Sequence, residues 1–183
     1  MSTLLRFENV SLRRGGQLLF EGLDLALAAG EALQVAGPNG CGKSSLLRLT
    51  AGLLRPERGS VEATALSLAD DNLALDRELS LEAALSFWGG DVRKGLEAVG
   101  LEALRHVPVR LLSSGQRKRA TLARVAASGA PLWLLDEPLN GLDSAGADLL
   151  ATLLQSHRAG GGAVLAASHL ELPGVWKTLE LAQ

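Results

Sequence analysis

Apolar and polar positions change period several times along this chain. Leu23, Leu25 and Leu27 alternate with Asp24, Ala26 and Ala28, and the segments "LLRFENV" and "QLLFEGLDLALAAGE" are short runs of the same kind. A period of two buries one face of a strand and leaves the other in solvent, which predicts antiparallel strands at the N-terminal end. "ALQVAG" predicts a short apolar strand and "GSVEATALSL" another, while "PLWLLDEP" and "GGAVLAASH" are apolar without alternation until they meet two acids or a histidine. Such continuous runs suit parallel strands covered on both faces. The segment between them, "SAGADLLATLLQSHRAGG", has helical spacing and a terminal glycine pair, so the three together predict a right-handed strand–helix–strand unit. "SLEAALSFW", "VRKGLEAVGLEAL" and "GQRKRATLARVAAS" predict three helices, a lobe of about 72–128 inserted in an α/β domain covering 1–183. No internal repeat, low-complexity tract or long linker is present.

The first chemistry lies where "ALQVA" ends, in "GPNGCGKSS". A backbone that wraps closely around a bulky anion needs residues without Cβ, so that its N–H groups point inward. Gly37, Pro38, Asn39, Gly40, Cys41, Gly42, Lys43 and Ser44 satisfy G-x-x-x-x-G-K-[ST], and Ser45 continues into "SSLLRLTAGLL", a helix whose positive end faces the loop. In that arrangement Lys43 would reach the outer phosphates and the Ser44 hydroxyl would ligate Mg²⁺. The loop specifies nucleotide triphosphate binding but not the reaction, since GTPases, kinases, helicases and transport ATPases share it.

Composition narrows the field. A chain of 183 residues suits one domain with an inserted lobe. A formal charge of −2 argues against broad electrostatic binding of nucleic acid or anionic lipid, so the basic cluster at 117–119 is local. Cys41, the sole cysteine, excludes an internal disulfide. Its place in the loop fits a demand for a small residue; a nucleophile would need a partner histidine, and none is near in sequence. The N-terminal segment meets charges before an apolar stretch can form, and no window approaches the roughly 20 apolar residues of a membrane span. His106 and His157 match no motif and read as surface residues.

Downstream, "LWLLDEP" delivers Asp136 to the end of an apolar strand, where it can enter a Mg²⁺ shell, and Glu137 follows as a candidate to orient or deprotonate a water at the γ-phosphate. Ser113, Ser114 and Gly115 open a helix with exposed N–H groups, a second anion site in a chain that already has one. Leu112 to Gln116, some 20 residues before "LLDEP", resembles the LSGGQ signature of the ATP-binding cassette (ABC) ATPases. The expected fold class is therefore the α/β P-loop NTPase of that family, with a parallel core sheet, an N-terminal antiparallel β subdomain and an inserted helical lobe. The resemblance implies that Ser113, Ser114, Gly115 and Gln116 close over the γ-phosphate held by a second copy, in a nucleotide-driven homodimer. It also implies that "LNGLD" is a loop bringing Asp143 to the dimer contact, and that His169 in "AASH" senses the γ-phosphate.

Three positions depart from the family pattern. Ser114 replaces the first signature glycine; Arg14 stands where an aromatic residue usually stacks on adenine; and the glutamine usually found between the first two nucleotide motifs, touching Mg²⁺ and linking to the membrane partner, is absent, with Asn72 the nearest substitute. A guanidinium plane can stack on a base, which leaves adenine selectivity open. The compact length together with "LSFWGG", "VPVRLLSSGQRKRATLARV" and "PLWLLDEPLNGLD" looks like the ATP-binding subunits of haem-export, cytochrome c maturation systems. That likeness implies a peripheral ATPase on the cytoplasmic side of the inner membrane, working with membrane permease subunits to release a haem chaperone, with Phe87 and Trp88 either on the partner-facing surface or in the lobe's core. The ATPase of another small exporter, for lipoprotein or peptide, and a soluble ABC protein of iron–sulfur assembly remain open. No N/T-K-x-D motif of a GTPase is present.

Overall fold

In a computed structural model, residues 2–70 and 75–181 are described. Two twelve-residue strands, β1 (Thr3–Arg14) and β2 (Gln17–Ala28), form the antiparallel hairpin that the alternation requires, with Leu27 fully buried and Asp24 in solvent. The turn is Gly15–Gly16 at φ +57 and +83, the left-handed pair that a two-residue hairpin loop demands. Strand β4 (Arg58–Ala63) pairs with the other edge of β1, giving a three-stranded sheet in the order β2-β1-β4.

The second sheet is parallel. Its order is β5-β6-β7-β3-β8, from β3 (Ala32–Ala36), β5 (Leu66–Ala69), β6 (Leu132–Asp136), β7 (Ala163–Ala167) and β8 (Lys177–Glu180). All five residues of β6 and of β7 are buried. Leu132 and Leu134 face the side of helix α1 (Lys43–Thr50) and the antiparallel sheet, while Trp133 and Leu135 face the helical side. Burial on both faces is why these strands read as unbroken apolar runs. Between β5 and β6 come α2 (Leu81–Ser86), α3 (Val92–Ala98) and α4 (Ser114–Ala127); α5 (Ser144–Ala159) links β6 to β7. Among the described residues no helix is long and apolar enough to cross a membrane.

Four expectations change. "GSVEATALSL" is not one strand: β4 leaves the antiparallel sheet at Thr64, whose N–H donates to the Leu4 carbonyl, and two residues later β5 pairs with β6. The helix expected over "VRKGLEAVGLEAL" ends early because Gly100, at φ +66, reverses the chain, with Leu101 N–H bonded to Leu96 O and Gly100 N–H to Glu97 O. β8 was not anticipated. His157 is no surface residue: half-buried, it stacks on Trp133 with ring centres 3.6 Å apart and planes 9° apart, in space left by Gly162, and burial pushes its pKa below the ordinary value. His106 does stand in solvent, 3.7 Å from Glu82.

Candidate functional site

The phosphate loop is where the sequence places it, between β3 and α1. Gly37, Gly40 and Gly42 hold φ of +137, +86 and +111, the region open to glycine. A Cβ on Gly37 would run into the Leu181 carbonyl and come within 2.9 Å of Cys41 Sγ, and one on Gly42 would come within 3.2 Å of Leu19 Cβ. Cys41 is itself buried, so the reading of a small packing residue stands on contact. Gly42 caps α1 without a side-chain bond, leaving the positive end of the helix to a ligand. Lys43 is 7% exposed, and its Nζ donates to the carbonyls of Gly37 at 2.8 Å and Pro38 at 3.1 Å. The ammonium thus sits inside its own loop, at the place an anion's oxygens would take up.

A cleft of about 480 Å³ lies over this loop, lined among others by Arg14, Leu19, Asn39, Lys43, Ser44 and Glu137. The Gly15–Gly16 turn brings Arg14 to the cleft, where Nη1 donates to Ser45 Oγ at 3.4 Å. Phe20 is buried in the core and does not reach the cleft. Arg14, Gln17 and Leu19 line the side of the cleft that the first hairpin supplies.

At the C-terminal end of β6, Asp136 is 8% exposed and Glu137 turns out of the strand at φ +45, a left-handed conformation that costs a non-glycine residue energy and clusters at functional sites. That turn is held by Glu137 N–H donating to Ala167 O at 2.8 Å. Glu137 Oε2 lies 2.8 Å from His169 Nδ1 and 3.4 Å from the His169 backbone nitrogen. A carboxylate only accepts, so Nδ1 carries the proton and Nε2 is left for another partner. Two residues read as separate motif members are thus one hydrogen-bonded pair, with Glu137 lining the cleft.

The signature segment stands apart from this cleft. Ser113 is the N-cap of α4 in a full capping box: its Oγ accepts Gln116 N–H at 3.2 Å while Gln116 Oε1 accepts Ser113 N–H at 2.8 Å. Ser113 and Ser114 are exposed. Gly115 packs on the loop after β6, where a Cβ would come within 3.1 Å of Gly141 O. Asp143 has a job within the chain as N-cap of α5, accepting Gly146 N–H at 2.8 Å. Asn72 lies outside the described residues.

Two polar residues escaped the sequence reading. Lys118, one turn beyond the signature, donates to the carbonyl of Asp136 at 3.2 Å; within "RKR" it read only as part of a local basic cluster. Gln34, inside the apolar "ALQVA", donates to carbonyls on both sides of His169. The only signal for it was a lone amide in a buried strand.

Phe87 and Trp88 are exposed at 83% and 45%, packed edge to face with each other, and Arg124 Cζ lies 4.5 Å from the Trp88 ring centre. Of the two places open to them, they take the surface.

Comparison with known proteins agrees with this geometry. The ABC transporter family model matches residues 20–140. The chain is 51% identical over 94% of its length to the cytochrome c biogenesis ATP-binding export protein CcmA of Sphingopyxis alaskensis, covering 93% of that relative. It is 55% identical over 90% of its length to the protein of the same name from Novosphingobium aromaticivorans, covering 87% of it. In structure it resembles an ABC transporter ATP-binding protein from Pyrococcus furiosus (TM-score 0.85, 21% identity, 98% of each chain). It also resembles a metal-chelate type ABC transporter in an inward-facing conformation (TM-score 0.79, 28% identity, 92% of this chain and 74% of that one). The chain belongs to the ABC transporter family, as one of its ATP-binding, ATP-hydrolysing subunits.

Proposed function

We propose that this chain hydrolyses ATP for a membrane exporter of the cytochrome c maturation system, on the cytoplasmic side of the inner membrane, where turnover powers release of the haem chaperone. The relatives named for cytochrome c biogenesis support the pathway. The observation that carries the chemistry is the Glu137–His169 pair, with Glu137 lining the phosphate cleft. On binding, the Lys43 ammonium leaves the Gly37 and Pro38 carbonyls for the β- and γ-phosphate oxygens. The Ser44 hydroxyl and the Asp136 carboxylate are hard oxygen donors of the kind Mg²⁺ takes, and Asn72 would be a third; an ion held there would supply positive charge to the phosphates. Glu137 orients a water for attack on the γ-phosphorus and accepts its proton as ADP departs. His169 holds the carboxylate through Nδ1–H, beside the γ-phosphate. Ser113, Ser114, Gly115 and Gln116 of a second copy complete the cage, and Asp143 lies at that contact. Permease subunits in the membrane, touching the lobe near Phe87 and Trp88, receive the work.

Glu137→Gln tests both levels. The purified protein should still bind ATP while hydrolysis falls about 10²–10⁴-fold, the usual worth of a general base. Cells carrying it should accumulate haem-loaded chaperone at the membrane and lose c-type cytochromes on haem-stained gels, with b-type cytochromes retained. Normal c-type bands would remove the pathway assignment, and undiminished hydrolysis would remove Glu137 as the base.

A further inference from the structure

We infer that Gln34 is a positioning residue for ATP hydrolysis: its side-chain amide clamps the loop that carries His169, and so fixes the imidazole against Glu137. Strand β3 lies between β7 and β8 and is apolar apart from this residue, with Leu33 and Val35 buried on one face and Ala32 on the other. An amide in such a strand is unfavourable unless it is hydrogen-bonded. Gln34 Nε2 donates to Leu170 O at 2.9 Å and, more weakly, to Ser168 O at 3.4 Å, the carbonyls on either side of His169. Gln34 pairs in register with Ala166, so its side chain reaches past the end of β7 into the turn that follows.

The same turn is held from two further directions. Ser168 N–H donates to Val35 O at 3.2 Å, and Ser168 Oγ both donates to Leu170 O at 2.9 Å and accepts Leu170 N–H at 3.0 Å. His169 alone in this turn points away from the clamp, to Glu137 Oε2. A chain of contacts therefore runs from Gln34 through the Ser168–Leu170 turn to His169 and on to the carboxylate. The Gln34 amide is engaged by the carbonyls on either side of His169, so its influence on turnover passes through this chain of contacts. Removing the amide frees the Ser168 carbonyl and leaves Leu170 O to Ser168 Oγ alone, which loosens the turn; a misplacement of about 1 Å in a reacting group can cost up to 10²-fold in rate.

The inference rests on His169 and Glu137 being the reacting pair, and the experiment separates the two claims. The full chain, purified with its membrane subunits, is assayed as wild type, His169→Ala, Gln34→Leu and Gln34→Glu. His169→Ala and Gln34→Leu should both lose turnover, Gln34→Leu by about tenfold, with KM for ATP unchanged within about twofold. In Gln34→Leu the His169 ring resonances, read by NMR of the full chain, should also move. Gln34→Glu faces the two carbonyls with an acceptor until the introduced carboxyl is protonated and can donate, so its rate relative to wild type should climb as pH is lowered. If Gln34→Leu does not fold, that pH ratio alone decides, and a flat ratio overturns the inference. Full activity in Gln34→Leu with His169→Ala impaired overturns the clamp alone. Full activity in His169→Ala overturns the reacting pair, and the clamp with it.

Discussion

Arg14 ends β1 and, across two glycines, hangs beside the phosphate loop with its guanidinium on Ser45. A guanidinium plane stacks on either purine for about 0.5–2 kcal/mol and reads neither edge in doing so. ATP and GTP should accordingly compete with affinities within about tenfold, roughly 1.4 kcal/mol. Equilibrium competition against a fluorescent nucleotide measures this, and a preference above about a hundredfold would mean another residue reads the base. Arg14, Lys43, Ser44 and Glu137 were legible in the sequence because each sits at a fixed offset in a motif. Gln34 was not, since its acceptor Ser168 lies 134 residues away and a single amide has no spacing to betray it. The N-cap role of Asp143 was hidden for a related reason: "LNGLD" places the residue, but only the backbone that follows shows which N–H it takes.

The signature helix α4 opens on a complete capping box, so the segment expected to meet a phosphate also secures its own first turn. Ser113→Ala removes the acceptor of Gln116 N–H and should cost about 1 kcal/mol of stability. Urea unfolding should show a lower midpoint with an unchanged slope, whereas an unchanged midpoint would mean the cap carries no weight. Helices were readable from their apolar period, and the central strands from unbroken apolar runs. Their ends were not. Gly100 cuts α3 through a left-handed φ that spacing does not announce, and β4 and β5 join two different sheets across Thr64 and Ala65. β8 escaped because Lys177, Thr178 and Glu180 are exposed and only Leu179 is half-buried, which leaves no alternation to detect.

None of Ser113, Ser114, Gly115 and Gln116 lines the phosphate cleft of its own copy. Two copies arranged head to tail would each bring these residues to the other's cleft. ATP with Mg²⁺ should therefore shift the chain from monomer to dimer on size exclusion, most completely in Glu137→Gln, where hydrolysis cannot reopen the pair. A monomer at every nucleotide concentration would sink this arrangement. The layered architecture was legible from the motifs, because the phosphate loop, the Asp136–Glu137 pair and His169 each mark the C-terminal end of a parallel strand and so align the sheet. The placement of Phe87 and Trp88 was not, because an aromatic pair at a helix end suits a core and a surface equally until the packing around it is known.

The contact between Gly37 and the Leu181 carbonyl has a temporal consequence. The loop that cradles the phosphates is synthesised early, yet one of its walls is the backbone just past β8, whose Leu181 N–H also bonds to Ala36 O. At about 5–20 residues per second, a ribosome needs on the order of ten seconds to travel from one to the other. Until then the nascent chain carries the whole phosphate-binding motif without this buttress, so the loop's packing is completed only after the last strand of the sheet has been made.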